Sequence, residues 1–202
     1  MPGSTLTAKG RATRTRIVQG AADVLRDRGV AQTTLDDVMA QTRTSKSQLF
    51  HYFPGGKDEL LLAVAQFEAD RVLEDQQPQL DRLDSWEAWD DWRNTVVRRY
   101  EEQGDHCPLG ALSLQIGRTT PGGRAIVVTL MKRWRDRLAA GIRTMQRAGH
   151  VADDVDAEET AAAMLAGLQG GVAILMATGD STHLRAVLDW SIRQLRATVP
   201  AH

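Results

Sequence analysis

From Thr44 to Tyr52 the chain reads TSKSQLFHY, a run of hydroxyl, amide, ammonium and imidazole groups around two apolar residues. On a helix that buries its apolar side, Ser45, Lys46, Ser47, Gln48, His51 and Tyr52 face outward. A glutamine amide pairs in a bidentate way with the major-groove edge of adenine, and a lysine ammonium reaches the acceptors of guanine. Serine, threonine and tyrosine hydroxyls, and the N-terminus of a helix, suit phosphate oxygens. Together these are the groups that read a DNA duplex. The competing reading is a solvated helix start with no ligand.

Other candidate chemistry is thinner. His106 and Cys107 pair an imidazole with a thiol, but sequence neighbours need not face each other and no third group is indicated. They have no second pair at metal-ligand spacing. With no other cysteine in the chain, Cys107 has no internal disulfide partner. The run DDVDAEE lacks the glycine and spacing of a calcium loop, and helix capping accounts for it. No enzyme and no cofactor is expected.

A presented polar segment needs elements to hold it. Apolar residues recur at helical spacing throughout, and strand alternation is never sustained. The first helix is expected over Ala12–Arg28, with Ile17, Ala21, Val24 and Leu25 inward. Thr34 and Asp37 have capping-box spacing and open a second helix that buries Leu35, Val38 and Met39. After a break at Gln41–Thr44, a third runs over Ser45–Phe53 with Leu49, Phe50 and Phe53 inward. Pro54-Gly55-Gly56 ends it, and a fourth runs from Lys57 to Asp75. Five more are expected: Trp86–Gln103 (capped by Asp84), Leu109–Arg118, Gly123–Arg147, one opened by Asp156 and reaching Ala177, and Ser181–Arg196. The fold class is therefore all-α with about nine helices. Residues 1–56 form a first domain and 57–202 a second.

The bulk numbers agree with a globular, water-facing chain. Of its 202 residues 42% are hydrophobic, enough to build a core. Net charge is −1 but uneven. Met1–Phe53 has eight Lys/Arg against four acids, or +4, and the remainder has 17 against 22, or −5. A basic end facing a polyanion fits this asymmetry, as does ordinary fluctuation. No apolar signal core follows the N-terminal basic residues, and no run of about 20 consecutive apolar residues is present. A cytoplasmic protein is expected.

Three short helices with a tight break before the third have the layout of a helix-turn-helix unit, whose last helix enters the major groove. The stretch TRIVQGAADVLRDRGVAQTTLDDVMAQTRTSKSQLFHYFPGGKDELL resembles the N-terminal domain of the TetR family of bacterial repressors, closely so from about Arg14 to Leu62. TSKSQLFHYF followed by Lys57 is the specific part; HCPLGAL and LQGGVAIL resemble one subgroup of the family's C-terminal domains. The resemblance implies an all-helical homodimer with a DNA-binding domain and a ligand-binding, dimerising domain. Such a protein binds a palindromic operator and is released when a small molecule binds. The alternative is a protein of the same fold controlled by a protein partner, or by nothing. The family's backbone-contacting positions fall on Thr33 or Thr34, Ser45, Tyr52 and Lys57, and its base-facing positions on Lys46, Ser47 and Gln48. Thr44 and His51 flank them. Two departures stand out. Phe50 replaces the usual tyrosine, which removes a phosphate contact, and Arg43 replaces a common glycine and is placed to add one. Lys9, Arg11, Arg14 and Arg16 either reach the DNA as an arm or form a tail without contacts.

A reading domain of about fifty residues does not need 150 more to stay folded. An apolar or aromatic effector is expected among Phe67, Trp86, Trp89, Trp92, Cys107, Leu112, Met131, Trp134 and Met164. For each of these, plain core packing is the competing reading. The last two helices are rich in small residues. Gly167, Leu168, Gly171, Leu175, Leu184, Leu188 and Ile192 form the expected two-fold interface, with an intrachain core as the alternative.

Overall fold

The computed structural model describes residues 6–103 and 120–198. They form eight α-helices: α1 Ala8–Arg28, α2 Leu35–Thr42, α3 Lys46–Tyr52, α4 Gly56–Glu74, α5 Trp86–Gln103, α6 Pro121–Arg147, α7 Ala157–Thr178 and α8 Thr182–Arg196. A single 3-10 turn spans Gln79–Asp81, and no strand occurs among the described residues. The helix expected over Leu109–Arg118 lies outside them.

The chain divides into two compact units, described residues 6–70 with 120–127, and 71–103 with 128–198. In the first, α1 buries Ile17, Val18, Ala21, Ala22 and Leu25 against Val38, Leu49, Phe53, Leu60 and Val64. Leu60 and Val64 lie beyond residue 56, so this core takes in the first turns of α4. Helix α1 begins one turn earlier than expected, because the Thr7 hydroxyl accepts the Gly10 N–H at 3.1 Å. Gly20 lets α2 close on α1: a Cβ there would lie 2.3 Å from Thr42 Cγ2. The capping box of α2 is formed as expected, with Asp37 N–H on Thr34 Oγ1 at 3.2 Å and Thr34 N–H on the Asp37 carboxylate at 2.9 Å. Arg28 pairs with Asp37 at 2.5 Å. Arg26 pairs with Glu68, which is buried on α4, at 3.1 Å.

Phe50 differs from expectation. It is 39% exposed, while Leu49 and Phe53 are fully buried. The helix period puts Phe50 about 100° from Leu49, which is enough to leave the core-facing stripe.

In the second unit, α5 buries Trp89, Trp92, Val96, Val97 and Tyr100, and α6 buries Leu130, Trp134, Leu138, Ile142 and Met145. The cap of α5 is Ser85, whose hydroxyl accepts the Ala88 N–H at 3.2 Å, and not Asp84. Helices α7 and α8 pack along their length. At Gly171 they meet backbone to backbone: a Cβ there would stand 2.6 Å from Leu184 Cα. Helix α7 is long and apolar enough, by length and composition, to cross a membrane, with a mean hydropathy of 1.6 over its best window. Its inward face is packed in this unit through Ala161, Met164, Leu165, Leu168, Val172 and Leu175.

Candidate nucleic-acid interface

Helices α2 and α3 are joined by a turn of three residues, Arg43, Thr44 and Ser45. Arg43 takes the left-handed conformation, φ 49° and ψ 46°, and its N–H caps the Ala40 and Met39 carbonyls. Thr44 is buried, and its N–H donates to the Met39 carbonyl at 3.0 Å. The Thr42 hydroxyl donates to the Val38 carbonyl at 2.7 Å and lies 2.9 Å from the Thr44 hydroxyl. From α1, the Arg16 guanidinium donates to the Thr42 carbonyl. Ser45 then caps α3 by accepting the Gln48 N–H at 3.2 Å. Every polar group of this turn that points inward therefore has a partner, which fixes the angle at which α3 leaves it.

Lys46, Ser47, Gln48 and His51 are exposed along α3, with Leu49 and Phe53 anchoring the opposite side. Tyr52 is half-buried, its ring edge-on to His51 with 4.9 Å between centroids. Arg14 of α1 sits 5.0 Å from the centroid of the Phe53 ring. The exposed Phe50 adds an apolar surface of the kind that meets a thymine methyl.

Three expected contacts are placed differently. Thr33 is buried and its hydroxyl donates to the Gly29 carbonyl at 2.8 Å, so it holds the α1–α2 loop instead of facing a phosphate. Thr44 is equally internal. Lys57 is half-buried, with Nζ donating to the Thr33 carbonyl at 2.5 Å, so it also ties the start of α4 to that loop. Arg16 is a positioning residue that local spacing could not reveal, since its partner Thr42 is 26 positions away.

Residues 17–64 match the domain described as "Bacterial regulatory proteins, tetR family", and residues 79–190 match "Tetracyclin repressor-like, C-terminal domain". The chain belongs to the TetR family. It is a DNA-binding transcriptional regulator, and its relatives are regulators rather than enzymes. An HTH-type transcriptional regulator of Mycobacterium tuberculosis, Rv0196, is 28% identical over 91% of this chain and 92% of its own. The transcriptional regulator AcuR of Cereibacter sphaeroides is 22% identical over 77% of this chain and 73% of its own. Among solved structures, a TetR regulator from Chloroflexus aurantiacus shares the fold with TM-score 0.79 and 24% identity, covering 96% of this chain and 98% of the other. One from Haloarcula marismortui has TM-score 0.80 and 18% identity, covering 94% and 100%.

The second unit of this TetR-family protein sorts the remaining expectations. Trp89, Trp92 and Trp134 are fully buried, Met164 is buried, and Trp86 and Met131 are half-buried. Trp89 and Trp92 meet edge-on at 5.8 Å, and the Trp92 N–H donates to Gln76 Oε1 at 2.9 Å. The N–H groups of Trp89 and Trp134 have no acceptor among the described residues. Phe67 is half-buried in the first unit, and Cys107 and Leu112, like His106, lie outside the described residues.

The expected interface needs correction. Leu168, Gly171, Leu175, Leu184, Leu188 and Ile192 are buried within the chain, and Gly167 faces Val187. They join α7 to α8 of the same chain and are not free for a partner. The exposed apolar stripe of α7 is Ala163, Ala166, Gly170, Ile174 and Ala177, and on α8 it is Ala186 and Trp190, which is 56% exposed. The small-residue spacing of α7 continues on this face, at Ala163, Ala166, Gly170 and Ala177.

Proposed function

We propose that this regulator is a homodimeric repressor that holds a palindromic operator through two copies of α3 and releases it when a small molecule binds. The observation that carries the DNA half is the row Lys46, Ser47, Gln48 and His51, exposed on a helix whose start is fixed by Arg16, Thr42 and Ser45. Ser45 and Tyr52 flank this row as phosphate contacts, with the Thr34 position behind them. We assign reading to residues 1–56, and effector binding and assembly to 57–202. The regulator works where the chromosome is, in the cytoplasm.

Two identical reading heads require a two-fold assembly, and α7 with α8 supports one. Ile174 and Trp190 are large apolar side chains left exposed on these helices. For the effector, the aromatic groups of the second unit are the indoles of α5 and α6, with Trp89, Trp92 and Trp134 fully buried. The N–H groups of Trp89 and Trp134, without an acceptor among the described residues, would be met by hydrogen-bond acceptors on a ligand. An aromatic molecule bearing a carbonyl or carboxylate meets both demands.

Selection of duplexes from a random pool by the wild-type protein tests the reading. A two-fold symmetric consensus is expected, and Gln48→Ala relaxes one symmetric position at a cost of about 1–3 kcal/mol per half-site. Asymmetric selected sites, or an unchanged consensus for Gln48→Ala, refute it. Any ligand that quenches the tryptophan fluorescence is then titrated with and without operator. Coupling is reciprocal, so an inducer binds more weakly in the presence of operator.

A further inference from the structure

Among the described residues, Arg43 is the only residue other than glycine with a positive φ. A side chain there brings its Cβ against the following carbonyl, which is why glycine usually takes such positions. The backbone bonds that Arg43 makes, from its N–H to the Ala40 and Met39 carbonyls, would be made equally by glycine. Its guanidinium gives the fold nothing in exchange: it is exposed, with no hydrogen bond or ion pair among the described residues. A cation near the end of α2 gains something from the helix dipole, but any residue of the last turn could supply that without strain. Arg16 already donates to the terminal Thr42 carbonyl. Strain held without structural return is found where function requires it.

The place of Arg43 indicates that function. It lies three residues before Lys46, the first residue of α3, and two before the cap Ser45. The N-terminal end of a reading helix enters the major groove, and backbone phosphates border that entry. We propose that Arg43 is a phosphate clamp at the mouth of the groove, its planar guanidinium bonding one DNA phosphate beside the start of α3. The proposal rests on α3 being the reading helix. One residue then lowers the stability of the free protein and raises its affinity for DNA, so a single substitution should move the two in opposite directions.

Arg43→Gly and Arg43→Lys in the full chain test this, by thermal melting and by anisotropy with a duplex that the wild-type protein selects from a random pool. Arg43→Gly is expected to raise the melting midpoint by about 2 °C. It should weaken duplex binding by about tenfold or more, the loss of a charge-assisted hydrogen bond. The plot of log affinity against log salt should become shallower by about 0.9 per half-site. Arg43→Lys keeps the backbone strain and the charge, so its midpoint and salt slope stay at wild-type values while affinity falls by less. Wild-type affinity and salt slope for Arg43→Gly overturn the proposal. So does a lower midpoint with the slope unchanged, which would make Arg43 a fold element. Gln48→Ala on the same duplex separates the two levels. If it too binds like wild type, α3 is not the reader and the clamp falls with it. If it binds weakly while Arg43→Gly does not, the reader stands and only the clamp is lost.

Discussion

Replacing Gly20 by alanine sets two effects of opposite sign against each other. In an isolated helix alanine is preferred over glycine by about 1 kcal/mol, so α1 alone would gain. The structure puts the new methyl 2.3 Å from Thr42 Cγ2, against about 3.5–4.0 Å for an ordinary carbon contact. Helices α1 and α2 would have to part by more than 1 Å, and overpacking of this kind costs about 1–3 kcal/mol. The clash exceeds the propensity gain at most values in that range, leaving a net loss of about 1 kcal/mol, or a melting midpoint lower by about 2–4 °C. The displaced residue is also the one whose carbonyl Arg16 holds and whose hydroxyl sits beside Thr44, so the start of α3 moves with it. Operator affinity should therefore fall together with stability. Thr42→Ser removes the methyl and keeps the hydroxyl bond to Val38, so Gly20→Ala with Thr42→Ser should recover both properties. Melting curves and anisotropy on the four proteins decide it. A higher midpoint for Gly20→Ala, or no rescue in the double variant, refutes the close contact as the reason for glycine.

Two further outcomes are expected. The Asp37 carboxyl is held below the ordinary aspartate range by the Thr34 hydroxyl first, then by the Thr34 N–H, with Arg28 adding to both. A lowered carboxyl contributes stability above that ordinary range and loses it as pH falls through the lowered value. Asp37→Asn should then destabilise the protein at neutral pH and flatten the acid side of its stability profile, and parallel profiles would exclude this contribution. On assembly, Ile174→Glu or Trp190→Glu should give a folded monomer by sedimentation, because each places a charge on an exposed apolar residue that the proposed dimer would bury; dimers persisting in both variants would move the interface elsewhere.

The reading unit was legible in the sequence wherever a local rule governs it. The Thr34–Asp37 capping box and the apolar pairs Ile17–Ala21 and Leu49–Phe53 all follow from spacing within a turn or two of helix. What spacing could not show was the inward turn of Thr33 and Thr44. A hydroxyl next to a recognised motif looks available, yet both serve the loop and turn that hold the motif, and their partners are set by tertiary packing. Phe50 differs in the opposite sense: an aromatic residue between two core positions suggests a third, yet the helix turns it outward. For Arg14 and Arg16 the sequence allows an arm or a tail without contacts; the fold instead places one on Phe53 and the other on Thr42.

Helices α7 and α8 show why an interface is harder to read than a core. Both demand apolar and small residues at helical spacing, so one pattern serves two partners. Gly167, Leu168, Gly171 and Leu175 satisfy every sequence criterion for a helix-helix contact, and they make one, with α8 of the same chain. An interface is what remains apolar after the chain's own contacts have been subtracted, and that subtraction needs coordinates. On α7 it leaves Ala163, Ala166, Gly170, Ile174 and Ala177, a stripe roughly 80° wide on the side of the helix nearly opposite the buried one. A helix needed only for the core would carry polar residues there, as α5 does at Glu87, Asp90, Asp91 and Asn94. The mean hydropathy of 1.6 in a helix only 39% buried over that window is the same statement in bulk form. In the proposed homodimer, a two-fold axis through α7 and α8 would pair stripe with stripe and cover this apolar surface with its own copy.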